Sequence, residues 1–213
     1  MPDPGPAALS ERLRARGIRD ARVLDAIRRV PRAAFCPTGF LHLAYEDEVV
    51  PLTDGATLSQ PFVVAAMLEA LALRGGERAL DVGSGSGFTT ALLATLCRSV
   101  CGLDADADLL HAAEEHVHAL GLRNFALRRG DGWHGWRELA PFDAILVSAA
   151  VPEPPPALLE QLAPGGRLVA PVGGAEGQML EAWWRDPLHG PTLSRRLFPV
   201  RFVPLVPEGW TPG

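Results

Sequence analysis

Lysine does not occur in this 213-residue sequence; all 20 of its basic side chains are arginine. The arginines are scattered, and their densest runs are the pairs Arg28–Arg29, Arg128–Arg129 and Arg195–Arg196. With a net charge of −5, this distribution offers no basic patch for a nucleic-acid backbone. The exclusive use of arginine reads as coding bias. Cysteine is scarce as well: Cys36, Cys97 and Cys101 are an odd number without C-x-x-C spacing. That argues against a disulfide framework and against a zinc site, and leaves a buried apolar role for Cys97 and Cys101. No run of about 20 apolar residues occurs, so no membrane span is expected. Residues 1–6 have neither a basic n-region nor an apolar h-region, so no signal peptide is expected. The signatures G-x-S-x-G and H-E-x-x-H are missing too, which removes support for hydrolase readings. The six histidines (His42, His111, His116, His118, His134, His189) match none of the motif positions below. His111, His116 and His118 read as a solvated or partly packed helix face, and no metal is expected.

What is present is a core. The apolar fraction is 47%, ample for one compact α/β domain of this length. Leu9, Leu13 and Ile18 follow a helical stripe. Asp20 caps a second helix carrying Val23, Leu24, Ile27 and Val30, which Pro31 ends. Residues 31–60 are rich in Pro, Gly and Asp and read as a long irregular segment, the kind that covers a site. A helix starts at Pro61, a favoured first-turn residue. Strands and helices then alternate: strands at 79–82, 99–103, 125–128, 142–147 and 167–172, and helices at 86–96, 106–120 and 154–162. Pro164–Gly165–Gly166 stands as the stop of the last helix. This alternation means βαβ units and a mostly parallel sheet. Two closing β segments, 179–184 and 197–206, predict an antiparallel hairpin with a polar turn region between them. The expected organisation is a single domain: residues 1–60 form amino-terminal helices and a covering loop, 61–173 a ligand-binding core, and 174–213 the closing strands.

The most informative stretch is Leu80–Asp81–Val82–Gly83–Ser84–Gly85–Ser86–Gly87, joining a strand to a helix. Its glycines allow a tight turn and a close backbone approach to a ligand, beside the free N–H groups of a helix start. The spacing is G-x-G-x-G with an acid two residues ahead. That differs from the G-x-G-x-x-G of dinucleotide-binding folds and resembles the first motif of S-adenosylmethionine methyltransferases. Asp104 ends the next strand, where an acid can accept both ribose hydroxyls of a nucleoside. Gly130–Asp131–Gly132 follows the third strand, where such methyltransferases place an acid facing the adenine amino group. Taken singly, Asp104 also reads as a helix N-cap and Asp131 as a turn former.

The segment Gly55–Ala56–Thr57–Leu58–Ser59–Gln60–Pro61 resembles the Thr-Ile-Ser block of the protein-L-isoaspartate O-methyltransferase family. Further segments match that family in order: Val30–Pro31–Arg32, Ala44–Tyr45–Glu46–Asp47, Pro141–Phe142–Asp143–Ala144–Ile145, Leu162–Ala163–Pro164–Gly165–Gly166–Arg167–Leu168, and the closing Val200–Arg201–Phe202–Val203–Pro204–Leu205. The resemblance covers roughly residues 25–206. The chain departs from the family at Leu58 (for Ile), at Ala56, at Thr53, and in the run Ser148–Ala149–Ala150–Val151–Pro152.

The resemblance implies a Rossmann-like methyltransferase fold and S-adenosyl-L-methionine as cofactor, with methyl transfer to the free carboxylate of isoaspartyl residues in damaged proteins. It places Thr57, Leu58, Asp81, Gly83, Ser84, Gly85, Gly87, Asp104, Asp131 and Gly132 at the cofactor. It places Ser59 at the reacting carboxylate, and Ala149 and the main chains of Val203 and Leu205 against the peptide. A carboxylate, with a reference pKa near 4, is already ionised at neutral pH and needs orientation in place of a general base. Ser59 is the leading candidate for that role through its hydroxyl; the lesser reading is that it caps the helix at Pro61, and the two can coexist. Asp81 reads as ordering the glycine loop or lining the cofactor. Two other readings share these motifs: a carboxyl methyltransferase for ordinary aspartate in one dedicated peptide, and a cofactor-binding protein without catalysis. A nicotinamide oxidoreductase is disfavoured by the glycine spacing. The enzyme is expected in the cytoplasm as a monomer.

Overall fold

Helical periodicity near the amino end becomes α1 (Gly5–Ala15) and α2 (Ala21–Arg29). Asp20 starts the second helix: its carboxylate accepts the Arg22 and Val23 N–H groups at 2.8 and 3.4 Å, satisfying donors that a first helical turn leaves orphaned. Leu9, Leu13, Val23, Leu24 and Ile27 bury the apolar stripes of the pair against each other and the core. The structure, a computed structural model, describes residues 5–53, 55–186, 188 and 190–207. The first four residues and His189 lie outside the described residues.

Residues 31–60 are largely irregular, as their composition predicts. They contain two short 3-10 turns (Arg32–Phe35 and Thr38–Leu43) and a two-strand ribbon of β1 (Val50–Pro51) and β2 (Thr57–Leu58). The alternating part follows: α3 (Pro61–Leu71), β3 (Arg78–Val82), α4 (Phe88–Leu96), β4 (Ser99–Asp104), α5 (Ala107–Ala119), β5 (Phe125–Arg129), β6 (Phe142–Val147), α6 (Pro156–Glu160) and β7 (Leu162–Gly174). The chain closes with β8 (Gly177–Asp186) and β9 (Gly190–Val200).

A seven-stranded sheet has the order β5-β4-β3-β6-β7-β8-β9. The strands from β5 to β7 run parallel, and β8 and β9 are antiparallel. The chain therefore winds outward from β3 on one side and resumes at β6 on the other. A crevice at the carboxyl ends of β3, β4 and β6 follows from that reversal. Successive residues of the central strands point to opposite faces, and both faces are dry. Ala79, Leu146 and Val169 pack with the amino-terminal helices, α3 and α4; Leu80, Ile145 and Leu168 pack with Leu158 of α6 on the other face. Among the described residues no helix is long and apolar enough to cross a membrane.

Three expectations need correction. The helix expected at 154–162 is confined to Pro156–Glu160. Pro155 is itself extended (φ −57°, ψ 126°), as the residue before a proline prefers, and Leu162 is taken by the sheet opposite Phe142. Pro164–Gly165–Gly166 is no helix stop: it bulges within β7, whose pairing with β6 jumps from Phe142↔Leu162 to Ala144↔Arg167. The second closing strand ends at Val200 instead of Val206, and the region expected as a polar turn is mostly strand. Arg201–Val206 leaves the ladder and runs beside residues 149–151, with Ala150 N–H donating to Val203 C=O and Leu205 N–H to Ala150 C=O, both at 2.8 Å. Pro204 lacks the N–H that a continued ladder requires. Of the cysteines, Cys97 is buried, while Cys36 and Cys101 are half-buried; all three are free thiols.

Candidate active site

The turn after β3 passes straight over the carboxyl end of β4. The N–H groups of Gly83 and Ser84 donate to Leu103 C=O at 2.8 and 3.0 Å, and Gly85 N–H donates to the Asp104 carboxylate at 2.8 Å. The other Asp104 oxygen accepts Asp106 N–H at 3.0 Å. Each oxygen keeps lone-pair capacity for a further donor. Burial foremost raises the Asp104 pKa above the usual carboxylate value, and the carboxylate lines the cavity at the strand ends. Asp104 is not the cap of α5; Asp106 is, accepting Asp108 and Leu109 N–H.

Gly83, Gly85 and Gly132, with Thr57, line the same cavity. At Gly132 a Cβ atom would come within 2.7 Å of Val82 and 2.9 Å of Leu205, so only glycine keeps this wall flat. Five predicted cofactor residues do not line this cavity: Leu58 and Ser84 border a smaller adjoining space, and Asp81, Gly87 and Asp131 stand elsewhere. Asp81 is fully buried: one oxygen accepts the Thr90 hydroxyl at 2.6 Å and, among the described residues, the other has no partner. Its burial, partly offset by Thr90, pushes the pKa from an ordinary 3.8 to about 7. Ordering of the loop is the role this geometry leaves it, because Ser84 also donates to its main-chain carbonyl. Gly87 lies below the loop, at φ +89°, where a Cβ would meet Ala113 at 2.9 Å; it is a packing glycine. Asp131 forms a turn: its carboxylate accepts Trp133 N–H at 2.9 Å and sits 3.2 Å from the His134 ring.

Beside this cavity runs a groove of about 470 Å³, walled by Phe62, Val63, Phe198 and Phe202 with Arg16 and Arg201 at its edges. A small neck joins the two. Thr57 borders the groove, the neck and the cavity at the strand ends; Ser59 borders groove and neck; Leu58 and Ser84 border the neck alone. Ser59 does not cap α3. Gln60 occupies the cap position without a side-chain bond, and the Asp47 carboxylate reaches across to accept Phe62 N–H at 2.8 Å. The Ser59 hydroxyl is thereby left without a hydrogen bond among the described residues, at the junction of the two spaces.

Of the residues expected to touch the peptide, Ala149, Val203 and Leu205 line the cavity at the strand ends and Ser59 the groove. Leu205 N–H is already donated to Ala150, and Leu205 C=O accepts the Trp133 indole at 3.2 Å. The groove wall is instead the run Phe198–Phe202.

Several residues that build the site had no signal by spacing. Gln178 grips Phe202 with both ends of its amide: Oε1 accepts Phe202 N–H at 2.7 Å and Nε2 donates to Phe202 C=O at 3.1 Å. Gln60 donates to the main chain and carboxylate of Asp47, which also pairs with Arg16. Arg32 is completely buried, and desolvation lowers its pKa from the usual guanidinium range to about 10.

The family model for protein-L-isoaspartate(D-aspartate) O-methyltransferase matches residues 6–209. The chain belongs to that family. It is 52% identical over 201 residues to protein-L-isoaspartate O-methyltransferase 1 of Anaeromyxobacter sp. (strain Fw109-5), covering 93% of this chain and 94% of that one. It is 52% identical over 200 residues to the protein-L-isoaspartate O-methyltransferase of Methylorubrum populi, covering 93% and 92%. A crystal structure from Plasmodium falciparum, assigned as a protein-L-isoaspartate O-methyltransferase and in complex with S-adenosyl-L-homocysteine, superposes with a TM-score of 0.81 at 30% identity. It covers 93% of this chain and 97% of that one. Membership in the isoaspartate O-methyltransferase family thus spans the glycine loop, the Ser59 segment and the closing run alike.

Proposed function

We infer that this chain is an S-adenosylmethionine-dependent protein-L-isoaspartate O-methyltransferase, and that Ser59 orients the acceptor carboxylate at the neck between the groove and the cofactor-side cavity. The observation that carries this reading is the position of one free hydroxyl at that junction, with its helix capped by another residue. The residues present fit the cofactor. The Asp104 carboxylate suits two ribose hydroxyls, and the main chain at Gly83, Gly85 and Gly132 allows close approach. When bound, S-adenosylmethionine supplies an electrophilic methyl on a sulfonium.

The acceptor is an anion already, so the protein has no proton to remove. Ser59 donates a hydrogen bond to one carboxylate oxygen and leaves the other directed into the neck. Thr57 and Leu58 form the neck wall and restrict the approach to a line. Phe62, Phe198 and Phe202 take up the flanking peptide and exclude water, so that positioning supplies roughly 7–11 kcal/mol of the barrier. The products are a methyl ester on the peptide and S-adenosylhomocysteine; the following main-chain nitrogen then attacks the ester carbonyl and expels methanol to close a succinimide, which water reopens partly to normal aspartate. In this reading the acceptor side draws on Thr57, Ser59, Phe62, Val63 and the run Phe198–Phe202, and the cofactor side on the strand ends from Gly83 to Gly132 with Thr57, Val203 and Leu205. We further propose that the enzyme works as a cytoplasmic monomer.

The test is methyl transfer from labelled S-adenosylmethionine to paired peptides that differ only in isoaspartyl or aspartyl linkage. Base-labile label on the isoaspartyl peptide alone is expected. Ser59→Ala is expected to lower the rate by about 10- to 100-fold, the scale of one hydrogen bond to a charged group. Equal labelling of the aspartyl peptide would refute the substrate assignment, and an unaffected Ser59→Ala rate would refute the role of the hydroxyl.

A further inference from the structure

Arg32 is the largest side chain buried completely in the protein. A guanidinium withdrawn from water normally meets a carboxylate. Here, among the described residues, every hydrogen-bond partner is a neutral main-chain carbonyl. Nη1 donates to Leu43 and Ala44 at 3.2 and 2.8 Å; Nη2 donates to Glu48, Leu58 and Ser59 at 3.0, 3.4 and 3.1 Å. Nε is buried with no partner. These acceptors lie on the 3-10 turn at 38–43, the chain before β1, and the run that ends in Ser59. The planar fork is what lets one side chain reach all of them; an ammonium on a flexible stem would not. The charge stays uncompensated, lies against the main chain of Ser59, and is buried from salt screening.

We propose that Arg32 is the positioning residue of the acceptor side: its buried guanidinium fixes the Ser59 main chain and sets an unpaired positive charge behind the place where the isoaspartyl carboxylate binds. The inference rests on the reading of Ser59 given above. The charge favours the anionic acceptor over the neutral ester that leaves, so it acts on binding of the peptide and on release of the product. Among the described residues no hydrogen bond joins it to the glycine loop or Asp104; it approaches that half at the Phe88 ring, 6.0 Å away at the start of α4, so the cofactor half should be largely spared.

The experiment compares full-length wild type, Arg32→Met and Arg32→Lys. It reads peptide KM and kcat, affinity for S-adenosylhomocysteine by calorimetry, and Tm. Arg32→Met is expected to raise the peptide KM by about tenfold or more, the equivalent of one lost charged hydrogen bond, while S-adenosylhomocysteine affinity changes by less than about twofold. Arg32→Lys, which keeps the charge and loses the fork, is expected to recover part of the KM. A residue that only holds the fold would weaken peptide and S-adenosylhomocysteine binding together, in step with Tm, and lysine would do no better than methionine; that result overturns the proposal. Should the methionine variant fail to fold, the lysine variant decides by the same split between peptide KM and S-adenosylhomocysteine affinity. No methylation of the isoaspartyl peptide by wild type, with S-adenosylhomocysteine still bound, would remove the functional reading and the proposal together. Normal wild-type turnover with an unchanged variant KM would remove the Arg32 proposal alone.

Discussion

On the cofactor side, the main chain does most of the work. The turn from Gly83 to Gly85 hangs from Leu103 and Asp104 through its own N–H groups, and the participating residues lie within three successive strand ends. On the acceptor side, side chains do the work, and they come from afar: Asp47 caps α3, Arg32 gathers the chain from 43 to 59, and Gln178 holds Phe202. A backbone cradle tolerates changes of side chain and recurs across many ligands. A side-chain lattice is specific to one substrate and is lost piecemeal.

Breaking one half should leave the other standing. The largest effect is expected for Asp104→Ala, which removes the carboxylate from Gly85 and Asp106 and from the nucleoside. Affinity for S-adenosylhomocysteine should fall about 100-fold, roughly two charge-assisted hydrogen bonds, with little change in peptide KM at saturating cofactor. Asp47→Ala tests the opposite half. Loss of the cap should destabilise the protein by about 1–2 kcal/mol in denaturant unfolding. With Phe62 N–H freed to recruit the Ser59 hydroxyl, kcat/KM for the peptide should drop about tenfold, the scale of one lost hydrogen bond to the acceptor. Gln178→Leu should raise peptide KM about fivefold through a loosened Phe202, each neutral hydrogen bond contributing about 1 kcal/mol. Equal losses of cofactor and peptide affinity in these variants would dissolve the distinction between the halves.

The smallest effect on ligand binding is expected at Asp81, where the change is one of stability, and it sharpens the comparison because it is a cost borne by the cofactor side. Its folded pKa of about 7 is above the ordinary 3.8, so between those values the folded state holds a proton that the unfolded chain has lost. Stability therefore declines as pH rises from about 4 to about 7, and the penalty is constant above that. Asp81→Asn should gain on wild type across this window by up to the order of 1 kcal/mol per pH unit, read as Tm at pH 5 and pH 8. A parallel pH dependence in the two proteins would assign the proton elsewhere.

The same contrast explains what could be read before any coordinates. The glycine loop, Asp104 and the parallel strands were legible because each depends on neighbours in sequence: alternation, turn glycines, an acid at a strand end. Ser59 was legible through its family segment, yet whether it capped α3 was not, because the competing cap comes from Asp47. Asp81 and Gly87 belong to the motif by position while one is sealed behind Thr90 and the other packs on Ala113. Spacing alone cannot tell a residue that touches a ligand from one that holds the loop. Gln178 carries no local signal, since its partner lies 24 residues away; Arg32 stands in a family segment, but its burial and its partners, up to 27 residues away, cannot be read there. The strand boundary at Val200 was missed because the apolar pattern continues through Val206 while the hydrogen-bond partner changes from β8 to Ala150.

The closing run Arg201–Leu205 has one more implication. Phe202 lines the groove, and Val203 and Leu205 line the other cavity, so one stretch of chain is a common partition between the two spaces. A ligand that stiffens this partition from either side lowers the entropy left to lose from the other. Peptide and cofactor should consequently bind with positive cooperativity, and by thermodynamic reciprocity the factor by which each tightens the other must be the same.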